Sequence, residues 1–443
     1  MRKLFLTTFT LALLGLLALT PVLAQQDQLV CPEGNPELVI AAGSVGNELE
    51  LLNTSLARYM SVCPNVTASA LVTPDLATDR LGFYNQSLGA RSDAVDIYMI
   101  DVIWPGIVAE HMVNIYDYLA PDSVWITQHE PSLIVNNTVD GRLVAMPWYV
   151  DTGLLYYRQD LLDKYGLTVP ATWDELTTSA QTIQDGERAE GHPDFYGYVF
   201  QAKLGEATTV NSLEWQASEG GGVIVTPDGE IQVNSPETLR AIERAAGWIG
   251  TIAPAEVIDY GVEDARRIWQ GGNAAFMRNW SYAYALGNAD DSVIKGLFSI
   301  APLPAGANGV AATAGGWSLA ISQYSRDPQA ALTLVQYLTS AEEQRFRAVG
   351  DETISGGFNP TILSVYEDPQ VLAASPQFEQ IFNTLASGGA TARPSTVAGA
   401  RYNELSLLYA EAIHSVLRGE ESARIALDDL EFDLEDLVID LGF

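Results

Sequence analysis

The residues of this chain with the most chemistry to offer are carboxylates placed just beyond apolar runs. The run Asp96 to Ile100 ends on Asp101, Glu37 to Ala42 leads to Asn47 and Glu48, and Val66 to Val72 leads to Asp79 and Arg80. A carboxylate anchored at the end of a buried strand can accept hydrogen bonds from two neighbouring hydroxyls of a sugar. Aromatic rings in polar, glycine-flanked settings complement them: Trp148 and Tyr149 beside Asp151, Trp280 and Tyr282 within MRNWSY, and Trp317 within AGGWS. Flat rings cover the apolar C–H faces of a sugar while carboxylates and arginines bind its rim. Gly315 and Gly316 allow close backbone approach, and Arg393-Pro394 adds a guanidinium near the C-terminal helices.

Each residue alone also has a plainer reading. Glu48 suits the dipole of a helix first turn, Asp101 a cap, the rings a core, and Arg393 the surface. Together the set favours one site. Motifs for covalent or nucleotide chemistry are absent: there is no G-x-S-x-G, H-E-x-x-H, Walker A loop or G-x-G-x-x-G. His111, His129, His192 and His414 are scattered without ligand spacing, so no metal and no cofactor are expected. Carboxylates are abundant enough for a glycosidase acid/base pair, which stays open as an alternative, although nothing singles out two of them.

The elements that must position these groups alternate. Glu37 to Ala42, Val66 to Val72 and Asp96 to Ile100 read as strands, and helices begin at Asn47 and Asp79. This β-α-β-α-β pattern implies an open, mainly parallel sheet with helices on both faces, where ligands bind beyond the carboxyl ends of the strands. The alternation restarts with strands at Leu154 to Arg158 and Tyr196 to Phe200, and Thr172 to Glu175 reads as a capping box. Further helices are expected at Pro236 to Thr251, Asp264 to Gln270 and from Asp327 towards Gln344. Near the C-terminus Leu427, Leu430, Leu434, Leu437 and Leu441 repeat at helical spacing behind Ser422. Two α/β lobes follow, without a flexible linker.

Arg2 and Lys3, the apolar run Leu4 to Leu19 and Val22-Leu23-Ala24 read as a secretory signal over residues 1–24, with a polar lead-in at 25–36. Cys31 lacks a lipoprotein box. The protein is therefore expected to be exported and soluble, periplasmic or on the extracellular face of the cytoplasmic membrane. The formal net charge of −33, more negative still without Arg2 and Lys3, repels phosphate backbones and anionic lipid, so no nucleic acid is expected. Cys31 and Cys63 are the only cysteines and suit a disulfide in an exported chain, two buried thiols being the alternative.

At these residues the sequence resembles the extracellular solute-binding proteins of ABC sugar importers, within the maltose-binding-protein family and nearest its trehalose/maltose-binding branch. GNELE (46–50), IYMIDVIWPG (97–106), AMPWYVDTGLLYYRQDLLDKYG (145–166) and TWDEL (172–176) carry the likeness. QGGNAAFMRNWSYAYAL (270–286), IAPLP (300–304) and AGGWSLAIS (314–322) continue it. The resemblance implies a two-lobed α/β periplasmic-binding-protein fold, each lobe a mainly parallel sheet flanked by helices, with extra C-terminal helices. It places three crossovers near 149–151, 299–301 and 350–355. Lobe I would comprise 37–149 plus 301–350, and lobe II 150–300 plus 351–443.

It further implies that Glu48, Asp101 and Asp151 accept hydrogen bonds from sugar hydroxyls and that Tyr149, Trp280 and Tyr282 line the ring faces. Gly315, Gly316 and Trp317 would face a second sugar, and Arg393 would bind hydroxyls; Arg80 matches more loosely. Where that branch carries an aromatic loop, this chain has Gly205-Glu206-Ala207-Thr208, which reshapes one subsite. The implied function is non-enzymatic capture of a glucose-containing disaccharide such as trehalose or maltose by a monomer that docks on a transmembrane permease. A modified sugar, polyol or glycoside is the alternative ligand.

Overall fold

A computed structural model describes residues 29–375, 378, 381 and 389–443. The segment read as a signal peptide lies outside them. In the first sheet, β1 (Glu37–Ala42) pairs in parallel with β2 (Thr67–Val72) and β3 (Ile97–Asp101). The apolar run of β1 is central because both its faces are covered: Ile40, Ala41 and Ala42 are fully buried. Helix Glu48–Val62 packs on this sheet through Leu51, Leu52, Leu56 and Tyr59. Its end is tied to the N-terminal lead-in by a disulfide between Cys31 and Cys63, with Cα atoms 5.5 Å apart.

A small hairpin of β4 (Thr138–Val139) and β5 (Arg142–Leu143) precedes β6 (Met146–Thr152). A single residue, Gly153, then separates β6 from β7 (Leu154–Arg158) in the second sheet. That sheet also holds β8 (Tyr196–Val199), β9 (Ala274–Asn279) and β10 (Phe298–Ala301), in the order β10-β7-β9-β8. The chain returns through 302–311 to β11 (Ala312–Ile321), which pairs antiparallel with both β3 and β6, and in parallel with β12 (Ala390–Thr391).

The second sheet departs from the mainly parallel arrangement expected. Only β8 and β9 run parallel; β7 is antiparallel to both β9 and β10. Strands that carry the chain out of one lobe and back again must oppose each other, and antiparallel neighbours need no crossover helix.

Local capping chemistry explains several helix limits. Thr172 caps Trp173–Ala189 by accepting from the Glu175 N–H at 3.2 Å, while the Glu175 carboxylate reaches one residue further back, to the Ala171 N–H at 2.7 Å. The helix expected from Asp327 towards Gln344 is two, Pro328–Leu338 and Ala341–Val349, because Ser340 caps the second. Residues 359–375, expected in the second lobe, lie instead against helix Ala341–Val349 and the 129–130 backbone, burying Ile362, Val365 and Val371 beside Ala348. Helices Tyr402–Leu417 and Ala423–Asp440 do cover the second lobe, packing on Glu206–Glu219 and Pro236–Trp248. Among the described residues no helix is long and apolar enough to cross a membrane.

Candidate ligand-binding site

One cleft between the two sheets is lined by Glu48, Arg80, Asp101, Tyr149, Asp151, Trp280, Tyr282, Gly315, Gly316, Trp317 and Arg393 together. Its empty volume is about 1060 Å³ counting the mouth, the upper end of the range for small-molecule sites. Asp79 also borders it, whereas Trp148 faces the core, fully buried and stacked on the Arg347 guanidinium at 3.9 Å.

Register places the groups. Trp317 of β11 stands opposite Asp101 of β3 on one side and Tyr149 of β6 on the other. Gly315 lies opposite Asp151. A Cβ on Gly315 would come within 2.8 Å of the Trp280 ring, and one on Gly316, where φ is +133°, within 2.4 Å of the Tyr149 carbonyl. Glycine is therefore needed at both positions for indole and backbone to close up. Arg80 lies 4.3 Å from the Trp317 ring centre and Arg278 4.1 Å from that of Trp280, so each indole has one face backed by a guanidinium.

The carboxylates are held by specific donors. The Tyr149 hydroxyl donates to Glu48 Oε1. Asp151 Oδ1 accepts from the Thr152 and Ser281 N–H groups at 2.9 and 3.0 Å. Asp101 Oδ1 lies 3.2 Å from Arg393 Nη2, whose Nη1 reaches Glu206 Oε1 at 2.8 Å. Tyr282 donates to Glu263 at 2.6 Å. Burial raises the pKa of Glu48, Asp101 and Asp151, the last to about 6. Arg80 and the Tyr149 hydroxyl oppose that rise at Glu48, and Arg393 opposes it at Asp101. Arg393 is 2 % exposed at its side chain, so its two terminal nitrogens serve chiefly to fix Asp101 and Glu206.

Several residues escaped sequence reasoning. Glu206, the first residue of its helix, carries Arg393, the Tyr402 hydroxyl at 2.7 Å and the Ser406 hydroxyl at 2.8 Å. Arg278 of β9 stands two residues before Trp280, which follows the strand's end, and the only signal for it was its place in MRNWSY beside that ring. Glu214 and Phe358 had no such signal: the first sits on a helix buried on nearly every side, the second in a loop. The arrangement offers fixed acceptors and ring faces converging on one space, and among the described residues no group of His, Cys, Asp and Glu is placed to hold a metal ion.

Residues 72–345 match the model of the bacterial extracellular solute-binding protein family, and the chain belongs to that family. A probable ABC transporter-binding protein of Deinococcus radiodurans is 45% identical over 399 residues, covering 90% of this chain and 92% of that one. Among solved structures, maltose-bound MalE3 of T. maritima aligns with a TM-score of 0.84 and 34% identity over 91% of this chain and all of that one. A ribitol complex from Agrobacterium radiobacter K84, at 22% identity and TM-score 0.79 over 92% of this chain and all of its own, shares the fold. The protein is accordingly a two-lobed solute-binding protein of an ABC transporter, and its relatives are binding proteins, not enzymes.

Proposed function

We propose that the chain captures a small sugar outside the cytoplasmic membrane, a glucose-containing disaccharide such as maltose or trehalose, and delivers it to the permease of an ABC importer. The observation that carries this reading is the pairing of buried acceptors with backed indole faces: Asp101 and Asp151 lie in the same cleft as Trp280 and Trp317. Likeness to maltose-bound MalE3 supports it. Ligand bridging the two lobes would favour a closed form through its differential affinity, and the permease would read that form. A shorter ligand, a polyol or monosaccharide, is the second reading, favoured by the Glu206–Arg393 pair, which walls part of the cleft with charge.

Calorimetric titration with maltose, trehalose and mannitol tests both. Binding of a disaccharide that is lost in Trp280→Ala and Asp101→Ala, with circular dichroism unchanged, supports the reading. Unaltered affinity in both variants removes it.

A further inference from the structure

Behind the cleft lies an arginine that does not itself line it. Arg347 is 1% exposed, on the last turn of helix Ala341–Val349, and its Nε, Nη1 and Nη2 hydrogen-bond to no described residue. Its guanidinium carbon instead sits 3.9, 4.7 and 5.4 Å from the ring centres of Trp148, Phe358 and Tyr149. Phe358 and Tyr149 line the cleft on their other sides and touch each other with ring centres 4.8 Å apart. The Arg347 carbonyl also accepts from the Phe358 N–H at 3.3 Å, just beyond the passage where Gly350 and Ser355 bridge. A methionine would fill such an aromatic slot without the desolvation that a guanidinium suffers. The charge sits one ring away from a cleft carboxylate: Arg347 lies against the Tyr149 ring, and the Tyr149 hydroxyl donates to Glu48.

We propose that Arg347 is a positioning residue of the ligand site, clamping the Tyr149 and Phe358 rings from behind and supplying positive charge that balances Glu48. This rests on reading the cleft as the sugar site. The groups facing Glu48 are Arg80 and Tyr84 from helix Ala77–Gly89, Tyr149 from β6, Arg347, and Asp75 from the loop after β2; Arg347 itself also faces Glu343. Burial raises Glu48 and the two arginines pull it back down. Burial also lowers Arg347, yet a guanidinium stays charged near neutrality.

The test is side-chain ¹³C NMR titration of Glu48, assigned with Glu48→Gln, in the full chain without ligand, alongside maltose calorimetry from pH 5 to 8. In Arg347→Met the Glu48 midpoint is expected to rise by about one pH unit, and maltose affinity to fall about tenfold at the acid end and less at pH 8. An unmoved midpoint overturns the charge role. Arg347→Lys keeps the charge but not the planar stack, and it decides the matter if Arg347→Met does not fold. Its Glu48 midpoint should stay near wild type while maltose affinity drops several-fold. A raised midpoint there overturns the charge role, and unchanged affinity overturns the clamp. If wild type binds no sugar, the proposed function falls, and the NMR midpoints still decide what Arg347 does.

Discussion

Arg278 and Glu214 form a two-bond ion pair directly beneath Trp280, with Nε–Oε2 at 2.9 Å and Nη2–Oε1 at 2.5 Å, and side chains 1% and 0% exposed. Glu214 also accepts the Thr313 N–H at 3.0 Å, so one carboxylate ties β9 to β11, two residues before each partner of the Trp280–Gly315 contact. Breaking such a pair from one side leaves a buried charge uncompensated and costs about 3–5 kcal/mol, whereas replacing both partners with apolar groups is often neutral. Arg278→Met should therefore lower both the urea midpoint and sugar affinity. Arg278→Met with Glu214→Leu should regain part of the stability, less the cost of the Thr313 N–H left without its acceptor, but not the affinity, because Trp280 has lost its backing. A double variant that binds sugar as wild type does would show that the guanidinium has no part in holding the ring.

The Asp151 carboxyl, raised to about 6 by burial, gives the site a pH dependence of definite sign. In the folded protein the neutral acid is favoured, so its contribution to stability is full below the ordinary carboxylate value and is lost as pH rises through about 6. Sugar binding runs the other way, since hydroxyls donate to the ionised form. Affinity should fall as pH drops through about 6, and Asp151→Asn should bind more weakly with a shallower pH profile. Some slope remains, because burial also raises Glu48 and Asp101. The groups bearing on Asp151 are Ser281, the Thr152 N–H, Arg278, Tyr156 and Tyr366. Calorimetry between pH 5 and 8 reads the difference, and parallel slopes in the two proteins would assign the dependence elsewhere.

Much of this site was legible because strand ends are local events. Asp101 closes an apolar run that is buried along its full length, and the glycine pair before Trp317 marks a close approach that the structure contains, since a Cβ on Gly315 would stand 2.8 Å from the Trp280 ring. The direction of β7 was not legible, since it depends on where the chain goes after Gly153 and not on the residues of the strand. Glu206 was hidden for a related reason. In the sequence it is one residue of the loop Gly205-Glu206-Ala207-Thr208, and only the arrival of Arg393, Tyr402 and Ser406 from nearly two hundred residues away gives it a role. Trp148 and Tyr149 show where period two fails: the β6 pairing with β11 is irregular between Trp317 and Ser318, both rings lie against Arg347 with centres 5.7 Å apart, and only Tyr149 lines the cleft.

The Cys31–Cys63 bridge closes a loop with sequence separation 32. Constraining an unfolded loop of that length is worth about 3–4 kcal/mol in the chain-entropy account. Cys31→Ser with Cys63→Ser, or reduction of wild type, should lower the unfolding midpoint and leave sugar affinity intact, since neither cysteine borders the cleft. Denaturant unfolding with and without reductant makes the comparison. Equal midpoints would mean that the lead-in is held by its other contacts, such as the Asn65 amide on the Pro32 and Gly34 carbonyls at 2.8 and 2.7 Å.

At the mouth of the cleft the two lobes meet through Thr78 and Glu206. The Glu206 N–H donates to Thr78 Oγ1 at 3.1 Å, and a Cβ on Gly205 would lie 2.5 Å from that same oxygen. Leu76 approaches Gly261 alongside, at 3.1 Å from its Cβ position. These contacts exist only while the lobes are together, so they weight the closed form directly. Thr78→Val keeps the shape and removes the acceptor, for a loss of about 1 kcal/mol. Apparent affinity scales with the fraction of binding-competent protein, so where the closed form is the minor state the sugar dissociation constant should rise about fivefold. The dissociation rate should carry most of the change, because the latch acts after the sugar has entered. Stopped-flow tryptophan fluorescence would follow that rate, and Gly205→Ala should exceed Thr78→Val by forcing the mouth apart. Wild-type dissociation rates in both variants would mean that closure is governed by the ligand contacts alone.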